Sequence, residues 1–224
     1  MSIALPLRPV TCLIMLAGLA AGCAQKPEPG STWNLNTLTT IAGHRPELLG
    51  SPKIVPSPDG YAIQFNGQSD GVLLPVNPIQ GFKEFTIQVL IKPQSGGNLE
   101  QRFLHVQDEA NSRGLLELRM YNDGWALDAF LFCTNSQRAL FDQSKRHPAD
   151  QWTWVAMTYR DGTITSYVNG MQELTGPVTI PPMGPGRISL GVRQNQISWF
   201  KGEIAEARFS PTALPADQLQ HARP

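Results

Sequence analysis

Residues 151–172 read QWTWVAMTYRDGTITSYVNGMQ, and the order of residue types in this stretch decides the fold. Residues 152–159 are rich in aromatic and β-branched side chains, which suit a pleated, half-buried strand. Arg160-Asp161-Gly162 then offers residues that tolerate positive φ, residues 164–168 resume the strand pattern, and Asn169-Gly170 turns the chain again. The reading is a β-hairpin followed by a further turn.

The same grammar recurs on both sides. Residues 61–65 run into Asn66-Gly67, residues 72–74 lead to Pro75, and residues 85–91 stop at Lys92-Pro93. Further strands are expected at 102–107, 115–121, 125–132, 187–192 and 203–209, and a single short helix at 215–221. Gly 20 and Pro 19 in 224 residues exceed the usual combined share of roughly 12%, as many tight turns between short elements require. With 41% hydrophobic residues the chain can fill one substantial core. Many short strands with almost no helix predict an all-β, two-sheet antiparallel sandwich, a closed barrel being the alternative.

Eighteen Lys+Arg balance eighteen Asp+Glu, for a net charge of +0. No excess of positive charge is available to neutralise a phosphate backbone or an anionic lipid surface, so nucleic acid is excluded as a partner.

The amino terminus reads as a targeting segment. Arg8 precedes the apolar run VTCLIMLAGLAAG from Val10 to Gly22, far short of the roughly 20 residues of a spanning helix. The run closes on Leu19-Ala20-Ala21-Gly22-Cys23, which resembles the bacterial lipobox. That resemblance implies a lipoprotein signal peptide over residues 1–22 and lipidation of Cys23. Residues 23–32 then form the lipidated cysteine and a flexible tether, and residues 33–224 the single folded domain. Contact with the membrane is expected through the lipid alone. Ala24 stands where an inner-membrane retention signal usually places Asp, which points to the outer membrane in a Gram-negative cell envelope. With Cys12 removed and Cys23 acylated, Cys133 is left without a disulfide partner, and its apolar neighbours predict a buried thiol.

YAIQFNGQSDGVLLP, EFTIQVLIKP, QWTWVAMTYRDGTITSYVNGMQ and FKGEIAEARFSPTALPADQL resemble, in order and spacing, the laminin G-like domains of the concanavalin A-like lectin/glucanase superfamily. The resemblance implies a jelly-roll sandwich whose concave sheet is the usual ligand face. Many relatives carry Asp, as part of a structural calcium site, where this chain has Ala205. No metal or other cofactor is therefore expected, Asp70 and backbone carbonyls being the residual place for a calcium. The four histidines are too scattered for zinc.

Alternation along the strands nominates a ligand site. Leu116, Leu118 and Met120 share one face of their strand, and Glu117, Arg119 and Tyr121 share the other. Leu104 and Val106 likewise oppose Phe103, His105 and Gln107, and Leu127, Ala129 and Leu131 oppose Asp128 and Phe130. Were the three strands adjacent, His105, Gln107, Glu117, Arg119, Tyr121 and Asp128 would gather on one open face, joined by Arg193, Trp199 and Lys201. Aromatic rings stack on sugar C–H faces, while Arg, Asp and His supply directional hydrogen bonds, so the expected partner is a glycan or polysaccharide. The bland alternative is a solvated outer face of cross-strand pairs.

The expected function is a surface-anchored, non-catalytic carbohydrate-binding or adhesion domain. One alternative is a polysaccharide lyase or other glycan-active enzyme, because FLHV, ELRMY and WFKG resemble strand motifs of alginate lyases. That resemblance implies His as base, Tyr as acid, and Arg neutralising the uronate. A structural or protein-binding envelope domain is the second alternative.

Overall fold

The computed structural model describes Met1 and residues 30–222. The proposed signal segment and Cys23 lie outside the described residues. In chain order the strands are β1 (Ser31–Asn34), β2 (Glu47–Leu49), β3 (Lys53–Ser57), β4 (Gly60–Asn66) and β5 (Gly71–Leu74). Then come β6 (Phe85–Pro93), β7 (Glu100–Asp108), β8 (Arg113–Tyr121), β9 (Gly124–Cys133) and β10 (Ser136–Phe141). The last five are β11 (Thr153–Arg160), β12 (Thr163–Val168), β13 (Met171–Pro177), β14 (Gly186–Leu190) and β15 (Lys201–Ser210). β1 begins at Ser31, two residues before Trp33.

The strands form two antiparallel sheets. One has the order β13-β12-β11-β6-β15-β4-β3, with β1 also paired to β15. The other runs β10-β9-β8-β7-β14-β5-β2. Their inner faces close over a core that includes Phe65, Ile87, Phe103, Leu116, Leu118, Trp125, Leu127, Val155 and Ile204, the alternate positions of each strand. The result is the all-β jelly-roll sandwich.

The stretch that decides the fold behaves as its composition dictates. β11 and β12 pair from Val155↔Val168 to Arg160↔Thr163. Asp161 and Asn169 hold the turns at φ 46° and 48°, each followed by a glycine with φ above 70°, as tight hairpin connections require.

The two outer faces have different fates. On the eight-stranded sheet, residues 211–222 lie across the strands. Thr86 Oγ1 donates to Thr212 O at 2.7 Å and accepts from Leu214 N at 2.8 Å. Gln88 Oε1 accepts from Gln220 N, and Asn169 Oδ1 from Ala222 N. Leu214 and Leu219 pack on Ala156 and Tyr167, so this segment covers the part of the face made by Thr86, Gln88, Ala156 and Tyr167. The expected helix at 215–221 is only a 3₁₀ turn, Ala216–Gln218, because the segment spends its backbone donors on the sheet beneath it. Cys133 is half-buried at the core edge, its thiol directed at Thr179 O at 3.4 Å.

Candidate functional site

Among the described residues, no terminal segment crosses the outer face of the seven-stranded sheet. β7, β8 and β9 are neighbours there, as the alternation reading needs. In register, Arg102 stands opposite Glu117, and Glu117 opposite Asp128.

A β-bulge between Arg102 and Leu104 changes the face assignments on β7. Two residues oppose one at a bulge, so the alternation slips by one position. Phe103, expected outward beside His105, is fully buried in the core, and Arg102 takes its place on the outer face. Arg102 Nε lies 3.0 Å from Glu117 Oε2, and its Nη1 lies 3.1 Å from Glu100 Oε2. Arg119 Nη2 donates to Asp128 Oδ2 at 2.8 Å, while its Nη1 stands 3.6 Å from Glu117.

Glu117 and Asp128 are 4% and 5% exposed. They are not the solvated side chains an outer face suggests. Burial raises the pKa of both, and the neighbouring guanidinium groups oppose that shift. Arg102 hydrogen-bonds Glu100, whose pKa is lowered.

The loop at residues 191–199 roofs one side of this face. It leaves the sheet at Gly191, whose φ of 77° and contact with the Phe65 ring leave no room for a Cβ. Arg102 N donates to Ser198 O at 2.8 Å and Arg102 Nη1 to Ser198 Oγ. Gln194 N donates to His105 Nδ1 at 3.2 Å, and Gln194 Nε2 reaches the carbonyls of His105 and Arg187. With Nδ1 accepting, the neutral His105 ring carries its proton on Nε2. Burial, then the charges of Arg193 and Arg113, push its pKa down to about 3, against a weaker opposing effect of Gln107.

On the other side stand aromatic rings. Phe130 and Phe132 are half-buried, with centroids 6.4 Å apart at 22°. Arg113 lies 3.7 Å over the Phe132 ring, and Arg119 lies 5.5 Å from that of the exposed Phe141. A cavity of about 250 Å³ opens between these walls, its floor made by Arg102, Leu115, Glu117, Arg119 and Asp128, its rim by Arg113, Phe130 and Arg193. An adjoining cavity of about 430 Å³ is lined by His105, Gln107, Arg187, Arg193 and Gln194. Arg193 borders both.

The structure therefore gathers six of the nine nominated residues, Glu117, Arg119, Asp128, His105, Gln107 and Arg193, in two joined cavities. The other three stand elsewhere. Tyr121 lies under the Arg146 guanidinium, 3.4 Å from its ring, and lines neither cavity. Trp199 is half-buried at the end of the loop and lines neither. Lys201 belongs to β15 of the other sheet and lines a separate cavity with Lys53, Asn66 and Asp70.

His105 pairs with Leu115, and Tyr121 lies six residues further along β8, roughly 20 Å at the rise of a strand. These two cannot share a proton transfer at one sugar carbon, which removes the acid–base pair of the lyase assignment. Asp70 spends its carboxylate on backbone N–H groups, from Ser51 at 2.8 Å and Asn66 at 3.1 Å. Among the described residues, no three His, Cys, Asp or Glu side chains converge as a metal site.

Two packed antiparallel sheets, one outer face crossed by residues 211–222 and the other holding arginine and phenylalanine around a cleft, define a jelly-roll β-sandwich. The chain belongs to the concanavalin A-like lectin/glucanase superfamily, whose laminin G-type family model, Laminin_G_3, matches residues 66–220. Solved structures with this fold include domain 4 of AbnA, a GH43 extracellular arabinanase from Geobacillus stearothermophilus, in complex with arabinotriose. It is 21% identical, with 85% of each chain covered and a TM-score of 0.57. The SAP-like pentraxin of Limulus polyphemus is 17% identical over 70% of this chain and 78% of its own, with a TM-score of 0.57. The binding domain of Paraclostridial Mosquitocidal Protein 1 is 14% identical over 84% of this chain, with a TM-score of 0.61, and the match spans 49% of that domain. Comparison with curated proteins gives no match.

Proposed function

We propose that this chain is a non-catalytic carbohydrate-binding domain that docks a glycan on the outer face of its seven-stranded sheet. The observation that carries this reading is the asymmetry of the sandwich. One outer face is crossed by residues 211–222, which bond to Thr86, Gln88 and Asn169, whereas on the other the half-exposed Phe130 lines an open cavity with Arg113 and Arg119, and Phe132 stacks on Arg113 beside it. Aromatic rings stack on sugars and guanidinium groups orient their oxygens. Related folds named for a complex with arabinotriose, and for interaction with ganglioside molecules, support it.

Binding of the full chain to a glycan array tests the reading. At least one glycan class should be retained, and Phe130→Ala should weaken it about 5- to 10-fold, the equivalent of roughly 1 kcal/mol of lost stacking. An empty array overturns the lectin reading, and binding indifferent to Phe130→Ala moves the site off this face.

We also propose that Cys23 carries the lipid that holds the domain at the bacterial cell envelope. Replacing Cys23 by Ala removes the thiol placed for acylation and should shift the protein from the detergent to the aqueous phase on partitioning. An unchanged distribution overturns the anchor.

A further inference from the structure

The smaller cavity is lined by four guanidinium groups, Arg102, Arg113, Arg119 and Arg193, against two carboxylates, Glu117 and Asp128, while Asp108 and Glu109 line its neighbour. Of these guanidinium groups, Arg102 and Arg119 are committed to Glu100, Glu117 and Asp128 at 2.8 to 3.8 Å. Arg113 and Arg193 have no carboxylate within 4.0 Å among the described residues. Arg113 Nε is buried without a hydrogen-bond partner, and its Nη1 reaches only Asn111. The two cations are close enough to disfavour each other's charge. Burial and then Arg193 lower the pKa of Arg113 against a weaker opposing effect of Glu117, and both arginines press on His105, whose buried Nε2 is also unpartnered.

Placing two like charges together at a partly dry surface opposes folding unless something of opposite sign completes the set. Stacking on Phe132 fixes the plane of the Arg113 guanidinium, and Arg193 borders both cavities. A group seated between them would receive planar, charge-assisted hydrogen bonds.

We infer that the glycan bound here is anionic, and that its acid group, a carboxylate or a sulfate ester, sits between Arg113 and Arg193. This rests on the glycan-binding reading and narrows it to acidic saccharides. The neutral sugar rings extend over Phe130 on one side and toward His105 and Gln107 on the other.

Matched polymers separate charge from sugar shape. The full chain is run in affinity electrophoresis through polygalacturonate and its fully methyl-esterified form, and through dextran sulfate and dextran. The charged member of at least one pair should bind 10-fold or more tightly than its neutral partner, and which pair responds tells carboxylate from sulfate. Arg193→Gln should cost at least 10-fold in that affinity, while Lys83→Gln, an equal loss of charge beside the other sheet, should cost less than twofold. Arg193→Gln should leave the thermal midpoint unchanged or raised, because it relieves a repulsion.

Three results overturn the inference while leaving glycan binding intact: a charged-to-neutral ratio under threefold, binding to neutral array glycans with none to either charged polymer, or equal losses in Arg193→Gln and Lys83→Gln. A fall in the midpoint of Arg193→Gln by several degrees also overturns it, since Arg193 would then be paired within the protein. Failure to bind any array glycan or polymer removes the lectin reading and this inference together.

Discussion

Arg119→Ala is expected to destabilise the domain by about 3–5 kcal/mol, the range for removing one partner of a buried ion pair. On strand alternation alone the side chain stands on an open face, where truncation would cost little. The structure makes it a counterion instead: it meets Asp128 at 2.8 Å, Glu117 at 3.6 Å and Glu100 at 3.8 Å. Glu117 and Asp128 face each other across β8 and β9, and burial raises the pKa of both against the pull of Arg102 and Arg119. Without Arg119, Arg102 remains as the near cation for two adjacent buried carboxyls. The variant should therefore take up a proton, and its deficit relative to wild type should shrink as pH falls from 8 to 5. Asp128→Asn in the Arg119→Ala background should recover part of the loss. Urea denaturation measures this, and a loss under about 1 kcal/mol would mean that the pair is solvated and weak.

Acid should weaken the fold through His105. Its pKa in the folded protein is about 3, against roughly 6.5 in an unfolded chain. Between those values the unfolded state binds the proton that the folded state refuses, so the contribution of His105 to stability is complete above about pH 6.5 and declines toward pH 3. At pH 5 the loss is on the order of 2 kcal/mol. Raised carboxyls at Glu117 and Asp128 act with the opposite sign, since the folded state holds their protons more readily. Comparing wild type with His105→Gln isolates the histidine: denaturation midpoints at pH 7.5, 6 and 5 should converge for the two proteins as pH falls. Parallel curves would show that the imidazole is protonated without cost.

The two-sheet architecture was legible because β6, β11 and β12 carry dense β-branched and aromatic runs and β8 and β9 alternate apolar with polar or aromatic residues, closed by turns such as Asp161-Gly162 and Asn169-Gly170. β1, β2, β3, β10 and β13 were not. They are short or edge strands with polar, half-exposed sequences, and β3 and β13 include Pro56 and Gly176, which depress any strand signal. The same limit shaped the site. Alternation placed Glu117, Arg119 and Asp128 on one face, which the register bears out, but it could not foresee the bulge that hides Phe103 and brings out Arg102. Arg113 and Phe132 fit the alternation rule, and extending it to the strand ends would have found them. Trp199 and Lys201 follow Arg193 closely in sequence, but the loop ends at Phe200, and β15 carries the chain into the opposite sheet.

Both ends of the described domain belong to the same side of the sandwich. β1 pairs with the outgoing β15 from Ser31↔Phe209 to Asn34↔Glu206, and residues 211–222 cross the outer surface of that same eight-stranded sheet. A linkage made at either end of the described domain, whether to a membrane, a bead or a sensor chip, therefore attaches on the side of the eight-stranded sheet. The cleft is then presented outward, and many copies tethered at one surface would display their arginine-lined faces in a common direction, the arrangement in which weak individual contacts with a repeating polymer combine into strong retention.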